Sequence, residues 1–151
     1  MPWEGDVNDR DEPRLVWDDQ QISVSGYAGE TTANAHAFRE AMGRLDGERF
    51  TSVAIYRVDG DVRAQLTVHG DAEEGYMASL VLTNEASAEA TESWLLPPSS
   101  SDRGGHSVVM NVSGVRTPLP SRWLCDAEYV ESRAVEFIGN RQLEGSWEDT
   151  I

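Results

Sequence analysis

The chain has 151 residues, a length that suits one domain with a substantial core. It carries 27 acidic and 12 basic residues, and its formal net charge is −15 at pH 7. Such a surface repels nucleic acid phosphates and anionic membranes, so we expect neither as a partner. A basic protein would be attracted, although the simpler interpretation is that the charge only keeps the protein in solution.

A soluble, cytoplasmic protein is expected. Cys125 is the single cysteine, so no internal disulfide can form and a reducing compartment fits. The first residues have neither a basic start nor an apolar run, as a secretory signal would require. No apolar stretch is long enough to span a bilayer.

The first half of the chain predicts one helix among strands. A strand is expected over Leu15–Val24, followed by a turn at Gly26–Gly29 and a helix over Thr32–Leu45, capped by Thr31 or Thr32. The clearest local signal is a hairpin of Phe50–Val58 and Val62–Val68. Its turn is predicted at Asp59-Gly60, with positive φ at both central residues.

The second half predicts further strands and a closing helix. Strands are expected at Tyr76–Thr83, Glu92–Leu96, Ser107–Ser113 and Ser146–Ile151, with a loop at Pro97–Gly105 and a turn at Gly114–Pro120. Asp126 is a good N-cap for the terminal helix. Gly139 and Asn140 can take the left-handed conformation that ends a helix. Its apolar stripe consists of Ala127, Val130, Ala134, Phe137 and Ile138.

These elements predict an α+β domain. Residues 1–13 are expected to form an irregular acidic arm, and residues 14–151 a single domain. Its architecture would be a meandering, mostly antiparallel sheet of about six strands with two helices packed on one face.

Catalytic patterns are weak, so the sequence favours a non-enzymatic protein without cofactor or metal. The histidines, His36, His69 and His106, lack metal-like spacing. Cys125 lies beside a helix cap, where a thiol pKa can fall, but packing is the simpler interpretation. The acidic pairs Asp18-Asp19, Glu73-Glu74 and Glu148-Asp149 do not lie in apolar runs that would separate their pKa values.

The C-terminal residues resemble immunity proteins of bacterial polymorphic toxin systems, in the group called immunity family one. That family ends with a proline-containing approach, an Ala-x-x-Glu-Phe helix core, a helix-ending glycine and a tryptophan. The matching residues here are Leu119-Pro120, Ala134 to Phe137, Gly139 and Trp147. The upstream Leu66-x-Val68 strand and the loop ending in Gly75 are also similar. The resemblance implies an intracellular antitoxin, often paired with a nucleic acid deaminase or nuclease toxin.

The leading hypothesis is therefore an immunity protein that covers the active-site cleft of a cognate basic toxin domain. Candidate contacts are the carboxylates of two regions with a nearby aromatic: Asp71, Glu73, Glu74, Glu89, Glu92 and Trp94. Two alternatives stay open. One is a small α+β enzyme or ligand-binding domain with a pocket between sheet and helices. The other is an adaptor that uses the acidic surface on a different basic partner. The sequence leaves the oligomeric state open.

Overall fold

The architecture follows from a computed structural model, which describes residues 12–22, 26–98 and 106–150. Nine strands and two helices are present in these ranges. The strands are β1 (Arg14–Trp17), β2 (Gly29–Thr32), β3 (Ser52–Asp59), β4 (Val62–Asp71), β5 (Gly75–Asn84), β6 (Glu89–Leu96), β7 (Ser107–Val112), β8 (Val115–Pro120) and β9 (Ser146–Asp149). The helices are α1 (Ala35–Gly43) and α2 (Ala127–Ile138).

Seven strands form one antiparallel sheet, in the order β2-β1-β3-β4-β5-β6-β9. Strands β7 and β8 form a separate two-stranded sheet. The predicted α+β class, with a mostly antiparallel sheet and two helices, is confirmed. The seven strands expected from the sequence correspond to β1, β3–β7 and β9, whereas β2 and β8 were not predicted.

Both helices pack on one face of the sheet and fill it with apolar side chains. Alternate residues of the central strands, such as Ile55 and Leu66, meet Phe38 of α1 and Phe137 of α2, and all four are at most 1% exposed. The guanidinium of Arg57 fixes the end of α2 to β3, since its Nε donates to the carbonyl of Phe137 at 3.0 Å. The space between helices and sheet is therefore packed core.

The β7–β8 hairpin covers part of the opposite face. A second apolar cluster lies beneath it and contains Met77, Trp94, Met110 and Trp123. The indoles of Trp94 and Trp123 stack with ring centroids 4.6 Å apart. The main chain of Cys125 pairs with Tyr76 in an isolated bridge, which holds the chain after the hairpin against β5.

The terminal helix has the predicted cap, and Val130, Ala134 and Phe137 of its predicted stripe are buried, whereas Ala127 is exposed. The Asp126 side chain accepts a hydrogen bond from the Tyr129 amide at 2.8 Å, and the helix ends before Gly139. The left-handed residue that follows is Asn140, with φ of 55°.

Several predicted boundaries are wrong for local reasons. Strand β1 ends at Trp17 instead of Val24, and residues 23–25 lie outside the described residues. Helix α1 is capped by Asn34, whose side chain accepts from the Ala37 amide at 2.8 Å; Thr31 and Thr32 belong to β2. The predicted arm over residues 1–13 and the loop over residues 97–105 lie mostly outside the described residues as well.

Two predicted turns are also corrected. The β3–β4 turn is centred on Gly60 and Asp61, because Asp59 pairs with Val62, and only Gly60 has positive φ. The predicted turn at Gly114–Pro120 is mostly strand β8. In the described part of the chain, no helix is both long and apolar enough to cross a membrane.

Candidate protein-interaction surface

Two acidic turns from distant parts of the sequence lie side by side. The first follows α1 and contains Asp46 and Glu48; the second joins β4 to β5 and contains Asp71, Glu73 and Glu74. An isolated antiparallel bridge between the main chains of Asp46 and Asp71 joins the two turns. Five carboxylates are thereby brought together at one end of the sheet.

Backbone amides fix both turns. Oδ1 of Asp46 accepts hydrogen bonds from the amides of Glu48 and Arg49 at 2.9 Å and of Phe50 at 3.0 Å. Oδ1 of Asp71 accepts from the amides of Glu73 and Glu74, both at 2.8 Å. Short carboxylates that bond their own following amides give a defined turn without help from other elements.

A groove of about 230 Å³ separates these turns from the β7–β8 hairpin. The side-chain amide of Asn111 donates to the carbonyl of Gly47 and so joins the hairpin to the first turn. We call this concavity the acidic groove. Its lining residues are Asp46, Gly47, Glu48, Gly70, Asp71, Glu73, Glu74, Val109, Met110, Asn111 and Arg116.

The carboxylates of the acidic groove form no ion pair with any residue that the structure describes. Within the described ranges, none of them lies within 4.0 Å of an arginine or histidine nitrogen. Some carboxylates elsewhere are paired, such as Asp19 with Arg49 at 2.9 Å and Glu148 with Arg122 at 2.7 Å. The groove therefore places five carboxylates side by side, none of them ion-paired with a described residue, and Arg116 is the one basic residue in its described lining.

The charge of Asp46 is stabilised by the turn itself. Burial acts to raise the pKa of Asp46, but hydrogen bonds from the backbone amides of Glu48, Phe50 and Arg49 outweigh it, so the pKa is lowered. The carboxylate stays ionised at neutral pH even beside the other acidic groups.

Of the predicted contact residues, the structure brings together only the three in the β4–β5 turn. Asp71, Glu73 and Glu74 share the β4–β5 turn, where Glu73 and Glu74 are exposed. Glu89 lies at the opposite end of β5, since it pairs with Asn84. Glu92 lies between them on β6, and its Oε1 accepts from the Trp94 indole at 2.9 Å and from the Thr150 hydroxyl at 2.9 Å.

Trp94, which the sequence offered as a candidate contact, is largely buried. Trp94 is only 7% exposed, because its indole is stacked on Trp123 and packed against Met77 and Met110. Trp123 is buried as well, and its Nε1 donates to Glu148 at 2.8 Å. Both tryptophans hold the hairpin on the sheet.

Sequence reasoning missed Asp46 and Glu48 as members of this surface. Asp46 and Glu48 directly follow the predicted helix and were not among the predicted contacts. Both turns share an Asp-x-Glu pattern, in Asp46-Gly47-Glu48 and Asp71-Ala72-Glu73. The pairing of Asp46 with Asp71 depends on the register of the sheet, which local patterns do not carry.

A second, larger concavity of about 380 Å³ lies on the sheet face opposite the helices. Tyr27, Tyr56, Arg63 and Gln65 line it, and the Gln65 amide donates to the Tyr27 hydroxyl at 3.0 Å. Burial, the largest effect, raises the pKa of Tyr27. This concavity is not the pocket between sheet and helices that the ligand-binding alternative requires, because that space is packed core.

A buried serine and histidine form a hydrogen bond beneath the hairpin. Oγ of Ser52 lies 2.8 Å from Nδ1 of His69, but Ser52 is fully buried and His69 is 2% exposed. Asp18 accepts hydrogen bonds from the amides of Thr51 and Ser52 at 2.7 and 2.9 Å. In a catalytic triad the carboxylate would orient the histidine and the serine would reach substrate, so this network is better understood as structural.

Cys125 is a packed residue. It is 4% exposed, and burial raises its pKa to about 12. The simpler interpretation of Cys125 as a packed side chain is confirmed, and desolvation of the thiolate is the main reason that its pKa is raised. Among the residues that the structure describes, no group of three or more His, Cys, Asp or Glu side chains could hold a metal ion.

Comparison with protein-family models, with curated proteins and with solved structures gives no match for this chain.

Proposed function

We propose that this chain is an immunity protein, a non-enzymatic inhibitor that acts in the cytoplasm on a cognate basic toxin domain. The toxin would be a nucleic acid deaminase or nuclease, whose cationic active-site cleft the inhibitor covers. The observation that carries the proposal is the acidic groove, in which two fixed turns present five carboxylates, none of which forms an ion pair with a described residue.

The electrostatics of the acidic groove suit a cationic loop. Concentrated negative charge steers a basic partner and raises its association rate. Because the turns are held by their own backbone amides, little conformational entropy is lost when Lys or Arg side chains enter. Val109, which is 49% exposed, adds an apolar surface on the hairpin wall.

The C-terminal residues that resemble immunity family one support the scaffold. Ala134 and Phe137 are fully buried, and Trp147 packs against the same core from β9. Glu136 accepts a bidentate pair of hydrogen bonds from Arg133 at 2.7 and 2.8 Å. A shared scaffold with a variable acidic surface would let such proteins recognise different toxins.

Co-expression with the toxin domain encoded beside this gene tests the proposal. We expect the chain to rescue growth and to co-purify with the toxin. A chain that does neither, while it is folded and abundant in the same cells, would contradict the proposal.

Matched charge reversals test the location of the interface. Glu73→Lys/Glu74→Lys alters the acidic groove, whereas Glu85→Lys/Glu89→Lys makes the same change in net charge at the opposite end of β5. We expect the first pair to slow toxin association more and to reduce its salt dependence more. Equal effects would indicate that only net charge matters, and a larger effect of the second pair would move the interface to Glu89.

A further inference from the structure

The β7–β8 hairpin is joined to the main sheet without a strand ladder. Its two strands pair only with each other, and no backbone-to-backbone hydrogen bond joins Ser107–Pro120 to the main sheet within the described ranges. Side chains therefore determine how firmly the hairpin is held.

The base and the tip of the hairpin are held by different forces. At the base, Met110, Val108 and Leu119 belong to the apolar cluster of Trp94 and Trp123. The tip is polar and exposed, and Val115 there is 65% exposed. Segments with few buried apolar contacts open locally at lower free energy than a packed core.

Three polar contacts hold the turn residues of the tip, in addition to the bond from the Asn111 side-chain amide to the Gly47 carbonyl. The turn residues Ser113 and Gly114 have φ of 50° and 85°, as in the two-residue hairpin turn with both central residues left-handed. The Ser113 amide donates to Oγ of Ser52 at 3.0 Å, and the Gly114 amide donates to Oγ1 of Thr51 at 3.1 Å. The hydroxyls of Ser113 and Ser52 lie 3.3 Å apart. We call these contacts the tip latch.

The acceptors of the tip latch are fixed from below. Thr51 and Ser52 are fully buried, and both amides donate to Oδ1 of Asp18. The hydroxyl of Thr51 donates to Oδ2 of Asp18, and Oγ of Ser52 also bonds the His69 ring. Both hydroxyls are thus pre-oriented toward the hairpin.

We propose that the hairpin tip opens and closes on the tip latch while its base stays packed, and that Ser52 and Thr51 are positioning residues of the acidic groove. They act through the hairpin, because β7 forms one wall of that groove. If a partner binds the groove more tightly when the latch is closed, binding also stabilises the closed latch. The two effects are equal in free energy. This last consequence rests on the proposed function, whereas the opening of the latch does not.

Residue-resolved amide hydrogen exchange of the full chain, without a partner, tests the latch. We expect the amides of Ser113 and Gly114 to be protected, but to exchange faster than the amides of β4. Exchange at the rate of an unstructured peptide would show that the latch does not close. Exchange together with β4 would show that it opens only on global unfolding, and either result would overturn the proposal.

Substitution of the acceptor gives a second readout. Ser52→Ala removes an acceptor of the latch, and we expect the tip amides to exchange about tenfold faster, with β4 and β5 nearly unchanged. Ser79→Ala is the matched control, since Ser79 is a buried serine in β5 that makes no described contact with the tip. Equal exchange of the tip in both variants would overturn the assignment of Ser52.

Gly114→Ala, a substitution in the exposed turn, tests the tip latch even if Ser52→Ala does not fold. At Gly114 an added Cβ would crowd the side-chain amide of Gln20, and an alanine there would be strained at positive φ. Gly60→Ala introduces similar strain in another exposed turn with no atom within 4 Å. We expect faster tip exchange in Gly114→Ala only, and an unchanged tip would contradict the latch.

Hydrogen exchange in a complex with the toxin tests the part of the proposal that depends on the proposed function. In the complex, exchange at Ser113 and Gly114 is expected to slow further. A complex that forms without such slowing would separate the latch from recognition. If no complex forms, the exchange of the free chain still decides whether the latch exists.

Discussion

The main chains of Asp46 and Asp71 pair in an isolated bridge, so that two self-capped turns present their carboxylates to one groove. Gly47 lies between them at φ of 75°, where an added Cβ would be 3.1 Å from Oδ2 of Asp71. The absence of a side chain at this position therefore permits the close approach of the two acidic turns.

Substitutions of Asp46 and Asp71 can separate the effect of their charge from the effect of their hydrogen bonds on stability. In Asp46→Asn/Asp71→Asn the amide oxygen still accepts from the turn amides, so we expect the free energy of unfolding to change by less than about 0.5 kcal/mol per site. Alanine at either position removes the acceptor and is expected to cost about 1 kcal/mol. Urea denaturation measures both. A loss for asparagine as large as that for alanine would show that the charge, and not the acceptor, stabilises the turns.

The stacked tryptophans are expected to matter for stability and not as a contact surface. Trp94→Ala removes a buried indole and should lower the free energy of unfolding by ~3–5 kcal/mol. Val115→Ala, at an exposed position of the same hairpin, is expected to cost less than about 0.5 kcal/mol. Denaturant titrations of the two variants provide the comparison. Similar losses would contradict the burial of Trp94.

The cap of α2 gives a local test of an element that both sequence and structure define. Asp126→Ala removes the acceptor of the Tyr129 amide and is expected to destabilise the chain by about 1 kcal/mol. Asp126→Ser keeps a capping oxygen and is expected to retain most of that stability. Thermal unfolding distinguishes the two. Equal melting temperatures for serine and alanine would show that the cap contributes little.

Helix α2 was predictable because its signals are local: a capping aspartate, an apolar stripe and a left-handed residue after the end. The pattern of alternation likewise predicted β4. Strand β2 was missed because Gly29–Thr32 has no apolar alternation. Strand β8 was missed because it contains Pro118 and Pro120, which an edge strand tolerates since its outer amides need no partner.

Only part of the acidic groove was predictable, because the rest depends on contacts between distant parts of the sequence. Asp71, Glu73 and Glu74 lie in one turn and were found from charge and exposure. Their meeting with Asp46 depends on which strands are neighbours. The burial of Trp94 was not predictable for the same reason, since its stacking on Trp123 depends on where the hairpin packs.

His69 makes stability depend on pH. Burial is the largest effect on this ring and lowers its pKa from 6.5 to about 4. In the unfolded chain the ring binds a proton below about pH 6.5, whereas in the folded chain it stays neutral until about pH 4. Falling pH therefore favours the unfolded state across this window, and the loss is complete below both values.

Replacement of His69 by a side chain that does not titrate measures this contribution. We expect wild-type stability to fall by ~3 kcal/mol more than that of His69→Gln between pH 6.5 and pH 4. His36→Gln is the matched control, because it makes the same replacement at a side chain that is 82% exposed. Urea denaturation at a series of pH values gives the slopes. The comparison is clearest above about pH 4.5, where the unfolded carboxyl groups are still largely ionised. Parallel curves for wild type and His69→Gln would mean that the ring takes up its proton equally in both states.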